Sequence, residues 1–312
     1  MINLFNVNDY VIDTAILGNH LHGGVVEEFE NSFASYVGAK YACSLSSATN
    51  AIFLSLLNED VEIKIPSIIP PVVLNAIINS GNAYSFTDNI DWVGTSYTLH
   101  DFGDYKIIDS AQRVDRNQYR NEANDSDVMI FSFYPTKPVG SIDGGIIVSN
   151  DYEKISWFKE ASLNGMCNSQ NNWDRRIKFP GWKMYMNSVQ ADIALRNLKK
   201  LDDKKNSLEE ICETYNEYFC LHNTSHHLYR INIKNRKEFM IRMQESGIMC
   251  GIHYAATHLN PVYATSSCVS FLKKSEKCHD ETVSIPYHEM LNKQNIDRIL
   301  ELTKQFAVMA DD

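Results

Sequence analysis

Between Tyr41 and Ser149 the sequence switches repeatedly between short apolar runs and segments of helical spacing. No other feature restricts the fold as much. Tyr41–Ser46, Glu62–Pro66, Ala83–Asp88, Tyr105–Asp109, Val128–Phe133 and Gly145–Val148 read as strands. Between or before them, Val26, Phe29, Phe33 and Tyr36 mark one face of a helix that Gly38 can cap, and Ala51–Leu57 and Val72–Asn79 read as helices. Strands alternating with helices predict an α/β domain with a mostly parallel central sheet and flanking helices. Further on, Val189, Ile193, Leu195, Leu198 and Leu201 predict an amphipathic helix from Met186 that continues to about Phe219. Beyond it, strands at 228–233 and 248–254 and a helix at 236–246 predict a smaller α+β unit, closed by Ser284–His288 and a helix at 295–306. At 312 residues the chain is long for a single core, so a large domain over 1–205 and a small one over 206–312 are expected.

Composition excludes more than it identifies. A net charge of −10 argues against nucleic acid or an anionic membrane as the main partner, though a local basic pocket for phosphate stays open. Seven cysteines, an odd number without a CxxC pair, suit free thiols in a reducing compartment. The N-terminus has neither the basic region nor the apolar core of a signal peptide, and no apolar run is long enough to span a bilayer. A cytoplasmic location is expected. His20 and His22 fit no metal-ligand spacing, and no metal site is expected.

Three features carry chemistry. Asp109 ends one strand, Lys137 follows the next, and Ser46-Ser-Ala-Thr-Asn50 opens a helix. Taken singly, each has an ordinary explanation: a helix cap, a lysine in a hairpin loop framed by Pro135, Pro138 and Gly140, and a hydroxyl-capped helix start. Together they match the needs of pyridoxal phosphate (PLP). Its phosphate suits a helix N-terminus, its aldehyde needs an amine, and its ring nitrogen needs an anion to stay protonated. In open α/β sheets such groups gather at the carboxyl ends of the strands.

In order along nearly the whole chain, the sequence resembles the DegT/DnrJ/EryC1/StrS family of PLP-dependent sugar aminotransferases, of the aspartate aminotransferase fold (fold type I). The most specific segments are Asp109-Ser-Ala-Gln112 and Ser132-Phe-Tyr-Pro-Thr-Lys137 with Asp143-Gly-Gly145. Ser46-Ser-Ala-Thr-Asn-Ala51, Gly181-Trp-Lys-Met-Tyr-Met-Asn187 and Gly251-Ile-His-Tyr254 are weaker matches in the correct places. The resemblance implies that Lys137 forms the internal aldimine and then moves the proton, and that Asp109 pairs with the pyridine nitrogen. It implies that Gln112 lies near the ring, and that Ser132 holds the phosphate with Ser47, Ala48 and Thr49. Lys183 would reach the phosphate of the other subunit of a homodimer. Tyr134, His253 and Tyr254 are expected to contact substrate, as could His258; for His253, Tyr254 and His258 a surface or core role is equally open.

The resemblance is incomplete. Ala48 stands where the phosphate turn has glycine, Lys183 and Tyr185 replace an asparagine and an arginine, and Pro66–Pro70 lacks a ring-stacking aromatic. The largest departure lies between Asp88 and Asp109, where only Asn89–Asp104 stands in place of a helix, a strand and another helix. A parallel neighbour needs a crossover of roughly a dozen residues, which Phe102–Asp104 cannot supply. Either Ser96–His100 is not a parallel neighbour of Tyr105–Asp109, or that strand is lost, and a trimmed sheet with an exposed flank is expected. The implied function is amination of a nucleotide-linked 3- or 4-keto-6-deoxy hexose with glutamate as donor. Lys137 counts against the family's sugar 3-dehydratases, which lack it. Alternatives are a catalytically silent PLP-binding sensor or structural protein, and an aminotransferase acting on a cyclitol ketone.

Overall fold

A computed structural model of the chain describes residues 1–7, 9–13, 17–167, 176–264 and 272–310; Cys268, one of the seven cysteines, lies outside them. Helix α1 (Gly24–Val37) ends at Gly38, whose φ of 80° is the left-handed cap that glycine adopts without strain. There follow β1 (Tyr41–Leu45), α2 (Ala48–Ser55), β2 (Glu62–Pro66), α3 (Pro71–Asn79) and β3 (Ala83–Thr87). Next come β4 (Tyr97–Asp101), β5 (Lys106–Asp109), the short α4 (Gln118–Glu122), β6 (Val128–Ser132), β7 (Gly145–Ser149) and α5 (Tyr152–Ser162). A two-residue pairing, β8 (Met166–Cys167) with β9 (Arg176–Ile177), leads to α6 (Ser188–Leu198) and α7 (Leu201–Phe219). The chain closes with β10 (Tyr229–Asn232), α8 (Arg236–Glu245), α9 (Lys273–Glu281), β11 (Thr282–Ile285) and α10 (Lys293–Phe306).

The α/β class holds, with a smaller parallel share than expected. The central sheet has the order β1-β7-β6-β5-β4. Within it β5 and β6 are parallel, whereas β7 runs antiparallel to both of its neighbours and β4 antiparallel to β5. The parallel pair β2–β3 forms its own ladder. Strand β4 settles the question raised by the short interval: the turn Phe102–Tyr105 is long enough only for a hairpin, so the strand survives in the antiparallel sense. Strand β4 is the edge of this sheet: Thr98 and Asp101 are exposed on it, while Leu99, with Trp92 and Val93 before it, is buried.

Alternation along the strands divides the core. Ile107, Ile130 and Ile147 face one apolar cluster with α2, α3 and α5, while Ile108, Met129, Phe131 and Ile146 face a second with α1 and α6. A third cluster gathers α7, β10, β11, α8 and α10. Helix α7 spans two of them, with Leu201 in the second and Leu208 and Tyr215 in the third. Two expectations change here. The single helix from Met186 to Phe219 is two helices, parted where the Lys200 N–H turns back to Asn197 O in a tighter three-residue step. The strand expected at 248–254 is reduced to single bridges, Ile2 with Ile248 and Gly251 with Ser284. No helix among the described residues is long and apolar enough to cross a membrane.

Candidate active site

Sheet register assembles the site. Leu45, Gly145 and Ser132 stand side by side across β1, β7 and β6, and Asp109 lies at the end of β5. The carboxyl ends of β1, β5 and β6 therefore meet along one edge, where open α/β sheets place their ligands. The helix entrance, the serine, the carboxylate and the lysine loop after β6 all belong to this edge.

One end of it is built by α2. The Ser47 side chain accepts from the Asn50 N–H at 3.2 Å and caps the helix. Ala48 and Thr49 are the first two helical residues, whose N–H groups have no acceptor within a helix, and no described residue accepts from them. Gly145 lets β7 come against this turn: a Cβ there would lie 2.4 Å from the Ala48 nitrogen. Ser132, buried at the end of β6, has its hydroxyl 3.3 Å from the Tyr134 N–H. Two unclaimed N–H groups at a positive helix end beside a serine hydroxyl fit a phosphate. The alanine in place of glycine is harmless, because Ala48 is an ordinary helical residue.

The other end centres on Asp109, which is only 3 % exposed. Its Oδ1 accepts from the Ala111 N–H and its Oδ2 from the Tyr97 hydroxyl, both at 2.9 Å. Burial raises its pKa; these two donors and the Lys137 charge pull the other way. Lys137 shows the reverse effect. Burial lowers its amine to about 8, opposed by the Asp109 carboxylate, so a useful share is the neutral nucleophile near neutral pH. Gln112 is buried and held from two sides: its Oε1 accepts from the Gly94 N–H at 2.8 Å, and its Nε2 donates to the Tyr254 hydroxyl at 3.0 Å. The Tyr254 ring lies parallel to that of Trp92, 6.2 Å away.

His253 adjoins this end. Its Nδ1 is 2.9 Å from the Ser284 hydroxyl, and burial, then the charges of Lys137 and Arg230, lower its pKa to about 4. It is neutral at physiological pH. The remaining expected residues are more remote. Tyr134 is 55 % exposed and joins the site through its carbonyl, which accepts from the Lys137 N–H. Lys183 is exposed on a segment bridged to Leu163. His258 belongs elsewhere, with its Nδ1 2.5 Å from the Ser67 hydroxyl and its Nε2 3.5 Å from Glu276.

Sequence reasoning missed Trp92, Gly94, Tyr97, His227 and Arg230. Buried His227 feels the Lys137 charge, and burial holds its pKa well below the usual value. The Arg230 guanidinium lies 3.4 Å from His253 O and forms no ion pair among the described residues. For Tyr97 a signal existed: once a crossover is impossible a hairpin must follow, and counting back from its turn leads near Asp109. The others come from distant segments and left no local trace.

An amine of lowered pKa, a buried carboxylate and a phosphate-ready helix start at one sheet edge define a PLP-dependent aminotransferase of fold type I. PLP supplies the electron sink for moving an amino group; Lys137, Asp109, Ala48, Thr49 and Ser132 are the groups that would hold it. The chain belongs to the DegT/DnrJ/EryC1/StrS aminotransferase family, whose sequence profile matches residues 6–89 and 105–304. It is 26 % identical to a UDP-4-amino-4,6-dideoxy-N-acetyl-beta-L-altrosamine transaminase of Campylobacter jejuni (strain 81-176), over 91 % of this chain and 92 % of that one. It is also 26 % identical to a dTDP-3-amino-3,6-dideoxy-alpha-D-galactopyranose transaminase of Aneurinibacillus thermoaerophilus, over 93 % and 92 %. The crystal structure of the aminotransferase TlmJ from Streptoalloteichus hindustanus superposes with a TM-score of 0.82 at 21 % identity, over 98 % of each chain, and so shares the fold.

Proposed function

We propose that the chain transfers an amino group to a nucleotide-linked keto-sugar, a 3- or 4-keto-6-deoxy hexose, with glutamate as donor. The observation that carries this is that Lys137 and Asp109 lie close enough at the sheet edge for each to feel the other's charge, beside free N–H groups at Ala48 and Thr49. Relatives of similar length aminate nucleotide sugars at both positions, which supports the substrate class and leaves the carbon open. A mostly buried Arg230 without an acidic partner among the described residues supports a donor bearing carboxylates. In this reading Lys137 delivers and removes the proton at the carbon bearing nitrogen, Asp109 keeps the ring nitrogen charged, and neutral His253 excludes water from the lysine. Exposed Lys183 suits a homodimer in which each subunit completes the other's phosphate site. The division at 205/206 and a cytoplasmic location belong to the same proposal.

The test is absorbance. Purified protein with PLP should show a visible band that glutamate removes and a keto-sugar restores, and Lys137→Ala should abolish the lysine-linked band and turnover. A band that no amino donor changes would favour the silent sensor. Turnover of a cyclitol ketone but no nucleotide sugar would move the substrate class. Absence of any lysine-dependent band would overturn the role of Lys137.

A further inference from the structure

The family profile leaves residues 90–104 unmatched, yet three site residues find partners in that interval: Asp109 from Tyr97, Gln112 from Gly94, and Tyr254 from Trp92. We propose that Tyr97 is the positioning residue of Asp109, fixing the carboxylate's orientation from a strand that this chain carries where the family match is interrupted. The inference rests on the cofactor reading above.

Register gives the strongest support. At the hairpin end, Asp101 faces Lys106 and His100 faces Ile107. Regular pairing continued from there would set Tyr97 opposite Ser110, whose side chain lies on the other face of the sheet. A bulge between Thr98 and His100 shifts the pairing by one, so that Thr98 faces Ile108 and Tyr97 faces Asp109. Bulges re-aim side chains in this way, often beside active sites. The bulged residue, Leu99, is buried in the first apolar cluster, which holds the shifted register.

The tyrosine is itself held. Its ring centre is 4.8 Å from that of Trp92, whose indole N–H donates to Ile68 O at 3.0 Å. With Ala111 on one oxygen and Tyr97 on the other, the Asp109 carboxylate cannot rotate without losing a bond. Each carboxylate oxygen can accept more than one bond, so both donors leave room for a ring nitrogen. Besides fixing the group, the hydroxyl favours its charged form against the cost of burial.

Tyr97→Phe removes one oxygen and keeps the ring. In the apoprotein, carbon-13 carboxyl shifts, with the Asp109 signal identified by its absence in Asp109→Asn, should give a higher titration midpoint for Asp109 in Tyr97→Phe than in the wild type. The PLP dissociation constant should rise about tenfold or more, and the apoprotein's thermal midpoint should fall by no more than the few degrees that one lost buried hydrogen bond costs. An unmoved Asp109 midpoint, whether or not the thermal midpoint falls, would overturn the proposal and leave Tyr97 a packing residue. A moved midpoint with unchanged PLP affinity would overturn its positioning role toward the cofactor. If neither protein takes up PLP while the midpoint moves, the cofactor reading fails and the Tyr97–Asp109 coupling stands.

Discussion

The two ends of the site are made in opposite ways. At the phosphate end the working groups are neighbours in sequence: Ser47 caps the helix whose first N–H groups belong to Ala48 and Thr49. Ser132 and Gly145 come from elsewhere in the chain, brought in by regular ladders. At the ring end Asp109 and Gln112 depend on Tyr97, Gly94 and Tyr254, up to 142 residues away, and on a bulge. The first end follows from how any capped helix begins. The second depends on tertiary structure that this chain arranges in its own way.

The comparison predicts that substitutions separate by end: the ring end should control chemistry, the phosphate end affinity and local stability. The largest effect belongs to Asp109→Asn. It removes the charge that the proposed reading sets against the ring nitrogen, and kcat should fall about 10²–10³-fold, the range for losing one preorganised electrostatic partner. An asparagine oxygen can satisfy only one of the two donors at 2.9 Å that Ala111 and Tyr97 present without rearrangement, so stability should also drop by about 1–2 kcal/mol. Single-turnover kinetics and a urea titration read the two effects separately. A variant with intact kcat would show that the ring end does not control chemistry.

A smaller effect separates the ends by pH. Burial lowers Lys137 to about 8, whereas the phosphate of PLP, with a second pKa near 6, and the backbone donors of α2 do not change charge between pH 7 and 9. The group gains reactivity as it loses its proton, so capture of PLP by the apoprotein should accelerate as pH rises. With a midpoint near 8 the neutral fraction grows about tenfold between pH 7 and 9; an ordinary lysine would gain close to a hundredfold. Stopped-flow absorbance distinguishes the two slopes. A hundredfold rise would mean that burial does not act on Lys137 in solution.

Legibility divides along the same line. Short apolar runs give β1, β2, β3, β5, β6 and β7, and helical spacing gives α1, α2 and α3, to within a few residues, because β1, β6 and β7 are buried as they cross the core and nearby turn residues end them; the polar α4 and the α5 helix carry no such signal and go unread. The site residues named from Ser47 to Lys137 gather at one edge because their order along the chain follows the strand ends. Two other misreadings share a physical cause. The break at Lys199–Lys200 and the loss of a strand at 248–254 occur where local periodicity continues but the hydrogen-bond partners do not. The hairpin was half legible, since a turn of that length excludes a crossover. The one-residue bulge that brings Tyr97 onto Asp109 was not, because pairing register is set by packing against Leu99 and its neighbours, not by any turn residue.

The smallest predicted effect is the sharpest test of the contrast. Ser47→Ala removes the cap from α2 but none of the N–H groups assigned to the phosphate, and leaves Asp109 and its partners untouched. Loss of a serine cap costs about 1 kcal/mol, so the thermal midpoint should drop by a few degrees. PLP affinity should weaken only as far as the first turn of α2 frays, and kcat at saturating PLP should stay at the wild-type value. Calorimetry and a PLP titration measure both. Should kcat fall with PLP saturating, the phosphate end would be coupled to the chemistry, and the shared edge formed by Leu45, Gly145 and Ser132 would be the route, since it is a continuous ladder between the cap and the strand beside Asp109.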